Sequence, residues 1–374
     1  MNRPIRVLDM IAPRIKPELS PYVTADGAVR IGATVFGLGI EIADPGGKIK
    51  ATIAALDGTR SPAEILGLEL VNASSREIAA IMQQLLDAGV LEDSSAPIPG
   101  EVTDRDRERY ARGVPLFRWL DQQPRRSSWD IQAILRRSRV LLIGVGGVGG
   151  TVAQGLVASG VGLLRLVDHD LVELSNLNRQ TLYREKDIGR LKVDAAIEHL
   201  GDINSDVEIS GDRLSISSEA DLSDIFEPGY DLVLLCADEP HEIRRWANRA
   251  CHRAGVAWIV GGYYGPIVSV GMHRRGAGAC WECLHDQAIE APEMRFPPGF
   301  SHDDLDPQFD WHPANAVSAG ITGMFMAYFA LAALTGAPPV SPGFWHEVNL
   351  AHSGESSVIR FDARDGCETC GTQF

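Results

Sequence analysis

Residues Arg139–Gly150 read RVLLIGVGGVGG. The apolar run Val140–Ile143 predicts a buried strand, and the glycines after it predict a turn into a helix. Glycine at 144, 146, 147, 149 and 150 lets backbone N–H groups approach a phosphate, whose charge the helix N-terminus favours. The next apolar stretch, GLLRLVDHD at 162–170, reaches Asp168 19 residues beyond Gly149, with Asp170 close behind. A carboxylate there accepts hydrogen bonds from ribose hydroxyls. Strand, glycine loop, helix and strand open a doubly wound α/β domain of Rossmann type. These residues alone suit NAD as well as ATP, and a glycine turn that only packs helix on strand has the same appearance.

The flanking sequence favours ATP. SNLNRQTLY at 175–183 supplies Ser175, Asn176, Asn178 and Arg179, and Lys192 follows 13 residues after Arg179. Cations near a strand end neutralise charge on a triphosphate that loses pyrophosphate, a need a nicotinamide dinucleotide does not have. YDLVLLCADE at 230–239 predicts a strand ending at Asp238, where a carboxylate in the ligand crevice can hold Mg²⁺. Two CxxC pairs, Cys280/Cys283 and Cys367/Cys370, match a closed tetrahedral Zn²⁺ site of structural type.

Composition bounds the rest. The 374 residues carry 35 basic and 50 acidic side chains, a net charge of −15, which disfavours binding to nucleic acid. Six cysteines are too few for a disulfide scaffold, and the N-terminus lacks a secretory signal, so a cytoplasmic location is expected. No Asp, Glu, Lys or Arg occurs between Asp310 and Glu347. The stretch AVSAGITGMFMAYFALAALTG within it is long enough to span a bilayer, but it is rich in small residues and lacks basic flanks. It is expected to be a fully buried helix at a subunit interface rather than a membrane span.

Upstream, residues 18–95 predict a short antiparallel sheet and then helices at Lys48–Leu56, after Ser61 and from about Ser75, the outline of a winged helix. This module carries five basic and eleven acidic residues, and its third helix has one arginine near its start, so duplex DNA is a poor partner. An open sheet edge that captures a peptide as an added strand is the other use of such a shape. The expected division is an N-terminal module at 1–95, a linker at 96–104 and a nucleotide domain at 105–374.

GVGGVG, the LVDHD acid, SNLNRQ, GRLKVDAA, DLVLLCAD and the two CxxC pairs, in this order, resemble the ThiF/MoeB/HesA group of adenylating enzymes, related to ubiquitin activation. The resemblance covers about 105–374. It implies that Gly147 lies against the nucleotide phosphates, Asp168 holds the ribose, Asn176, Arg179 and Lys192 hold the phosphates, and Asp238 holds Mg²⁺. RYARG resembles the group's RYxRQ segment, which makes Arg112 the candidate arginine finger from the other subunit of a homodimer. Two features depart from the pattern. Glu239 follows Asp238 where sulfur-carrier-activating members have Asn. The segment 285–317, where thioester- or persulfide-forming members carry a cysteine, has none. The remaining cysteines, Cys236 in an apolar strand and Cys251 on a helix face, read as structural.

The N-terminal module, through KIKATIAALDGTRSPAEIL and REIAAIMQQLLDAGVLED, resembles the PqqD-like leader-peptide recognition element of ribosomal peptide maturation. Together the two resemblances imply an enzyme that adenylates a carboxylate on a ribosomally made precursor peptide, with its leader on the N-terminal module. The alternatives are a sulfur-carrier-protein adenylyltransferase and a non-catalytic docking protein for a partner cyclodehydratase. The Pro- and aromatic-rich segment 291–312 reads equally as a lid or as a surface loop.

Overall fold

Val140–Ile143 do form a strand, and their side chains are at most 1% exposed. The computed structural model describes residues 5–32, 37–70, 72–226, 229–289, 297 and 313–371. They form two compact units, one of Met1–Arg136 with Thr335–Pro339 and one of Arg137–Leu334 with Val340–Phe374.

In the first unit, β1 (Pro13–Ile15) pairs antiparallel with β5 (Leu91–Asp93). A second sheet, in order β2–β3–β4, comprises β2 (Pro21–Val23), β3 (Val29–Ile31) and β4 (Ile40–Ile42). The helices α1 (Lys48–Ala55), α2 (Pro62–Leu66) and α3 (Ser75–Asp87) follow at the expected places. Ser61 and Ser74 cap α2 and α3, each paired with a glutamate three residues on, which satisfies N–H groups that the helix leaves open. Ile78, Ile81, Met82 and Leu85 turn one face of α3 into the unit's core.

Residues 96–103 carry no helix or strand, as a linker would. The compact unit nevertheless continues beyond them, through α4 (Asp104–Arg109), α5 (Gly113–Leu120) and most of α6 (Asp130–Arg137), instead of ending near 95. Largely buried ion pairs and hydrogen bonds that span the linker explain this. Arg118 of α5 binds Glu18 at 2.5 Å, and the Lys16 ammonium donates to the Asp121 carbonyl at 2.8 Å. Glu92 of β5 accepts from Ser128 at 2.5 Å and pairs with Arg118 at 3.5 Å. Removing one member of a buried pair leaves an uncompensated charge, so α5 is fixed to the strands before it.

The second unit holds an eight-stranded sheet in the order β13–β12–β11–β10–β9–β6–β7–β8. Its strands are β6 (Arg139–Ile143), β7 (Leu163–Val167), β8 (Glu208–Asp212), β9 (Leu232–Leu235), β10 (Ala257–Tyr264), β11 (Ile267–His273), β12 (Phe344–Asn349) and β13 (Glu355–Ile359). β8, β7, β6, β9 and β10 run parallel, and β11 to β13 continue antiparallel. Helices α7 (Gly147–Ser159), α8 (Lys192–Ile203), α9 (Glu219–Phe226) and α10 (Ile243–Ala254) make the crossovers of this parallel part. α11 (Trp281–Ile289) and α12 (Ala316–Thr335) lie between β11 and β12 in sequence.

α12 is long and apolar enough to cross a membrane, and half of its apolar window is buried. Within the single chain the helix is thus buried on one side, which leaves its expected burial at a subunit interface to a second copy. One face packs closely on α7, where a Cβ at Gly323 would stand 2.6 Å from the Thr151 Cβ and one at Gly155 3.0 Å from the Ala327 Cβ. The small residues allow that approach, while Val317, Met324 and Tyr328 stay exposed.

Gly149 has a comparable duty, because a Cβ there would overlap the Gly144 carbonyl oxygen. Gly149→Ala is expected to cost about 3 kcal/mol of stability, since backbone cannot yield as a side chain does. Gly201→Ala on α8, where nothing lies within 4 Å of the new Cβ, is expected to gain about 0.5–1 kcal/mol. Thermal melts of the two variants check the contrast.

Candidate functional site

A cavity of about 630 Å³ opens at the carboxyl ends of β7, β6, β9 and β10, all within the second unit. β6 lies between β7 and β9, so connections leave it on both sides, and the crevice forms where the strand order reverses. Gly144, with φ +88°, turns the chain out of β6; a Cβ there would stand 2.7 Å from the Ala237 nitrogen. Gly146 and Gly147 then start α7 and face the cavity.

Asp168 at the end of β7 is held by the glycine loop itself. The Val145 N–H donates to one of its oxygens at 2.7 Å, and the Asp170 N–H to the other at 2.9 Å. The Tyr183 hydroxyl donates to the Val145 carbonyl at 2.7 Å and fixes the loop from behind. Burial and the nearby Asp168 and Asp170 charges push the Tyr183 hydroxyl up, so it stays protonated in this role. The Lys192 ammonium, at the start of α8, pairs with Asp170 at 2.7 Å. Arg179 donates to the Ser175 carbonyl and to Asn178 Oδ1, both at 3.0 Å, and bonds Tyr263. Burial raises the Tyr263 hydroxyl, and Arg179 partly offsets this.

Gly144, Gly146, Gly147, Asp168, Asp170, Arg179, Lys192 and Asp238 thus meet in one cavity. Three other candidates of the second unit do not line it. Gly149 serves the packing of α7 on the glycine loop. Ser175 donates to Glu173 at 3.1 Å, and the Asn176 side chain accepts from the Glu173 N–H at 3.1 Å, which caps a turn of 3₁₀ helix. Arg112 belongs to the first unit, as the N-cap of α5.

The cavity also holds residues that sequence reasoning missed, among them Gln180, Arg244, Tyr263 and Trp345. The arginine pair in HEIRRW was visible, but only the start of α10 at Ile243 settles that Arg244 faces the crevice. Tyr263 and Trp345 lie on strands with no motif. Burial pushes the Cys236 thiol up and the Cys251 thiol well up, so neither is an activated nucleophile. The segment read as a lid or surface loop, 291–312, lies outside the described residues, Pro297 apart.

Away from the cavity, the two CxxC pairs converge. Cys280 lies 3.8 Å from Cys283 and 3.7 Å from Cys367, and Cys283 lies 3.4 Å from Cys370. All four sulfurs lie within 4.8 Å of one another. A tetrahedron of Zn–S bonds of about 2.3 Å has edges of about 3.8 Å, so the cluster fits one Zn²⁺ with no coordination position left open. The Arg364 N–H donates to Cys283 Sγ at 3.3 Å. Between the first two cysteines, the buried Glu282 binds Asn248, Arg249 and Thr369, which ties the knuckle to α10.

The sequence profile of the ThiF family matches residues 121–369. The adenylyltransferase and sulfurtransferase uba4 of Aspergillus niger is 38% identical over 190 residues, which span 46% of this chain and 38% of that protein. The molybdopterin-synthase adenylyltransferase of Escherichia coli is 36% identical over 161 residues, 43% of this chain and 60% of that one. The chain thus matches less than two thirds of the length of either relative. Among solved structures, MccB of E. coli superposes with a TM-score of 0.72 at 21% identity, covering 96% of this chain and 97% of MccB. MccB has also been solved with ATP and, as a microcin C7 biosynthetic enzyme, with N-formylated MccA.

Proposed function

Because the chain belongs to the ThiF family, we propose that it is an ATP-dependent adenylyltransferase that activates a carboxylate on a ribosomally made precursor peptide. The observation that carries the reading is the meeting, in one cavity, of the glycine loop, Asp168, Arg179, Lys192 and Asp238. Asp168 would accept from the ribose hydroxyls, and the N-terminus of α7 with Arg179 and Lys192 would hold the phosphates. Asp238 would hold Mg²⁺, which supplies charge neutralisation on the leaving pyrophosphate. The carboxylate needs no general base, because it is ionised at neutral pH. The protein's task is to hold it in line with the α-phosphate.

The peptide as substrate is supported by the extent of the shared fold. The likeness to MccB covers 96% of this chain, the N-terminal unit included, whereas the profile of the ThiF family begins at residue 121. In the PqqD-like reading, the N-terminal module is a winged helix that takes the leader as an added strand. An edge strand such as β2, whose Tyr22 and Val23 are exposed, offers unpaired backbone for it. Arg112 of a second copy would complete the phosphate site in a homodimer. The enzyme would work in the cytoplasm, with neither nucleic acid nor a membrane as partner. A second reading, activation of a sulfur-carrier protein, is favoured by the 36% identity to the E. coli molybdopterin-synthase adenylyltransferase.

ATP–pyrophosphate exchange separates the readings. With synthetic copies of small peptides encoded beside the gene, exchange is expected to rise well above the ATP-only background. Exchange driven instead by a ubiquitin-fold sulfur carrier ending in Gly-Gly would establish the second reading. Absence of ATP binding would leave a leader-docking protein.

A further inference from the structure

Three cations line the cavity, and two of them are already engaged. Lys192 is held by Asp170, and Arg179 by the Ser175 carbonyl, Asn178 and Tyr263. Arg244 has no hydrogen-bond partner among the described residues; its electrostatic neighbours are Asp238 and Glu239.

The topology places Arg244 apart from the phosphate groups. Lys192 starts the helix after β7, and Arg244 lies in the first turn of the helix after β9; these strands flank β6 on opposite sides. Arg179 touches the glycine loop, its Cγ lying 3.4 Å from where a Gly147 Cβ would be. Arg244 instead reaches over β10, with Nη2 3.9 Å from where a Gly262 Cβ would be. Gly262 pairs with Ser269 of β11, so these two positions share a face of the sheet. Ser269 and Trp345 line this end of the cavity. The missing side chain at 262 leaves room beneath the guanidinium. Arg245 beside it is paired with Glu282 at 3.3 Å, and burial lowers the neighbouring His285 imidazole. A guanidinium over an open floor can donate to one oxygen of a carboxylate and leave the other oxygen free.

We propose that Arg244 is the residue that holds the substrate's carboxylate, donating to the oxygen that becomes the carbonyl oxygen of the acyl-adenylate. The proposal rests on the adenylyltransferase reading. The other carboxylate oxygen attacks the α-phosphorus and forms the new O–P bond. The bond from the α-phosphorus to the bridging oxygen breaks, and pyrophosphate leaves with that electron pair. No proton moves, and the guanidinium keeps the same oxygen throughout.

The test compares AMP with 5′-O-(N-alanylsulfamoyl)adenosine, a stable mimic of an acyl-adenylate, by calorimetry on the full chain. The wild-type protein is expected to bind the mimic at least tenfold more tightly than AMP. Arg244→Ala is expected to abolish that preference and leave the Kd for AMP within twofold, and Arg244→Lys to restore part of the preference. Equal weakening of both ligands would overturn the proposal and make Arg244 a phosphate or structural residue, as would a preference that survives in Arg244→Ala. If neither ligand binds the wild-type protein, the adenylyltransferase reading falls, and this proposal with it. Melting curves accompany the series, with Arg244→Gln as the replacement should the alanine variant not fold.

Discussion

Asp238→Ala is expected to lower ATP–pyrophosphate exchange by ~10²–10³-fold, the range found when one preorganised electrostatic group is removed from a reaction that builds charge. In the proposed function the AMP moiety would meet the glycine loop and Asp168, so AMP binding is expected to stay within about twofold. Two features single out this carboxylate. It lies just beyond β9, on the cavity wall beside Gly144 and Ala237, where a ligand spanning the crevice must pass. It also faces Arg244, whose own guanidinium is pulled down by burial and held up by Asp238 and Glu239. Asp238→Asn keeps the shape and removes the charge, so an equal loss in both variants assigns the effect to charge. Exchange at near wild-type rate in either would remove Asp238 from the Mg²⁺ site.

Cys367→Ser is expected to empty the four-cysteine cluster and destabilise the second unit. In the metal-free protein, burial pushes Cys370 up to about 11 and Cys280 higher still, so these thiols stay protonated at neutral pH. A zinc ion would hold all four as thiolates and link two segments far apart in sequence, which would couple metal binding to folding. A cost on the order of 3 kcal/mol lowers Tm by ~6–12 °C in a unit of this size. Metal analysis is expected to fall from about one zinc per chain to near zero. Because the cluster is closed and lies away from the cavity, exchange activity below the new Tm is expected to persist. A variant that keeps its zinc and its Tm would show that the cluster is not a structural zinc site.

Much of this was legible in the sequence because the signals are local. The glycine spacing at 144–150 dictates a turn and a helix start, and Asp168 and Asp238 lie at or just beyond the ends of apolar strands. The capping serines 61 and 74 mark their helices. What escaped depends on register and packing. Gly149 looks like its neighbours, yet its duty is to let α7 approach the Gly144 carbonyl. Asn176 resembles a ligand but caps its own turn. Arg244 and Arg245 are adjacent in sequence, and only the first lines the cavity. The uncharged stretch of α12 does not by itself say which face meets α7. The extent of the first unit was missed because ion pairs such as Arg118 with Glu18 join residues 100 positions apart.

Those ion pairs bear on how such a protein can be recombined. The stretch 96–103 invites a cut, being polar and without helix or strand. A graft made there would part Glu18 and Lys16 from Arg118 and Asp121, and would leave α5, with Arg112 at its head, among strangers. The unit transferable between relatives is therefore longer than the module proposed to bind a peptide: it runs to Arg136 and takes α5 along with the strands it grips. A change of peptide preference, by design or by descent, would then carry the position of Arg112 with it.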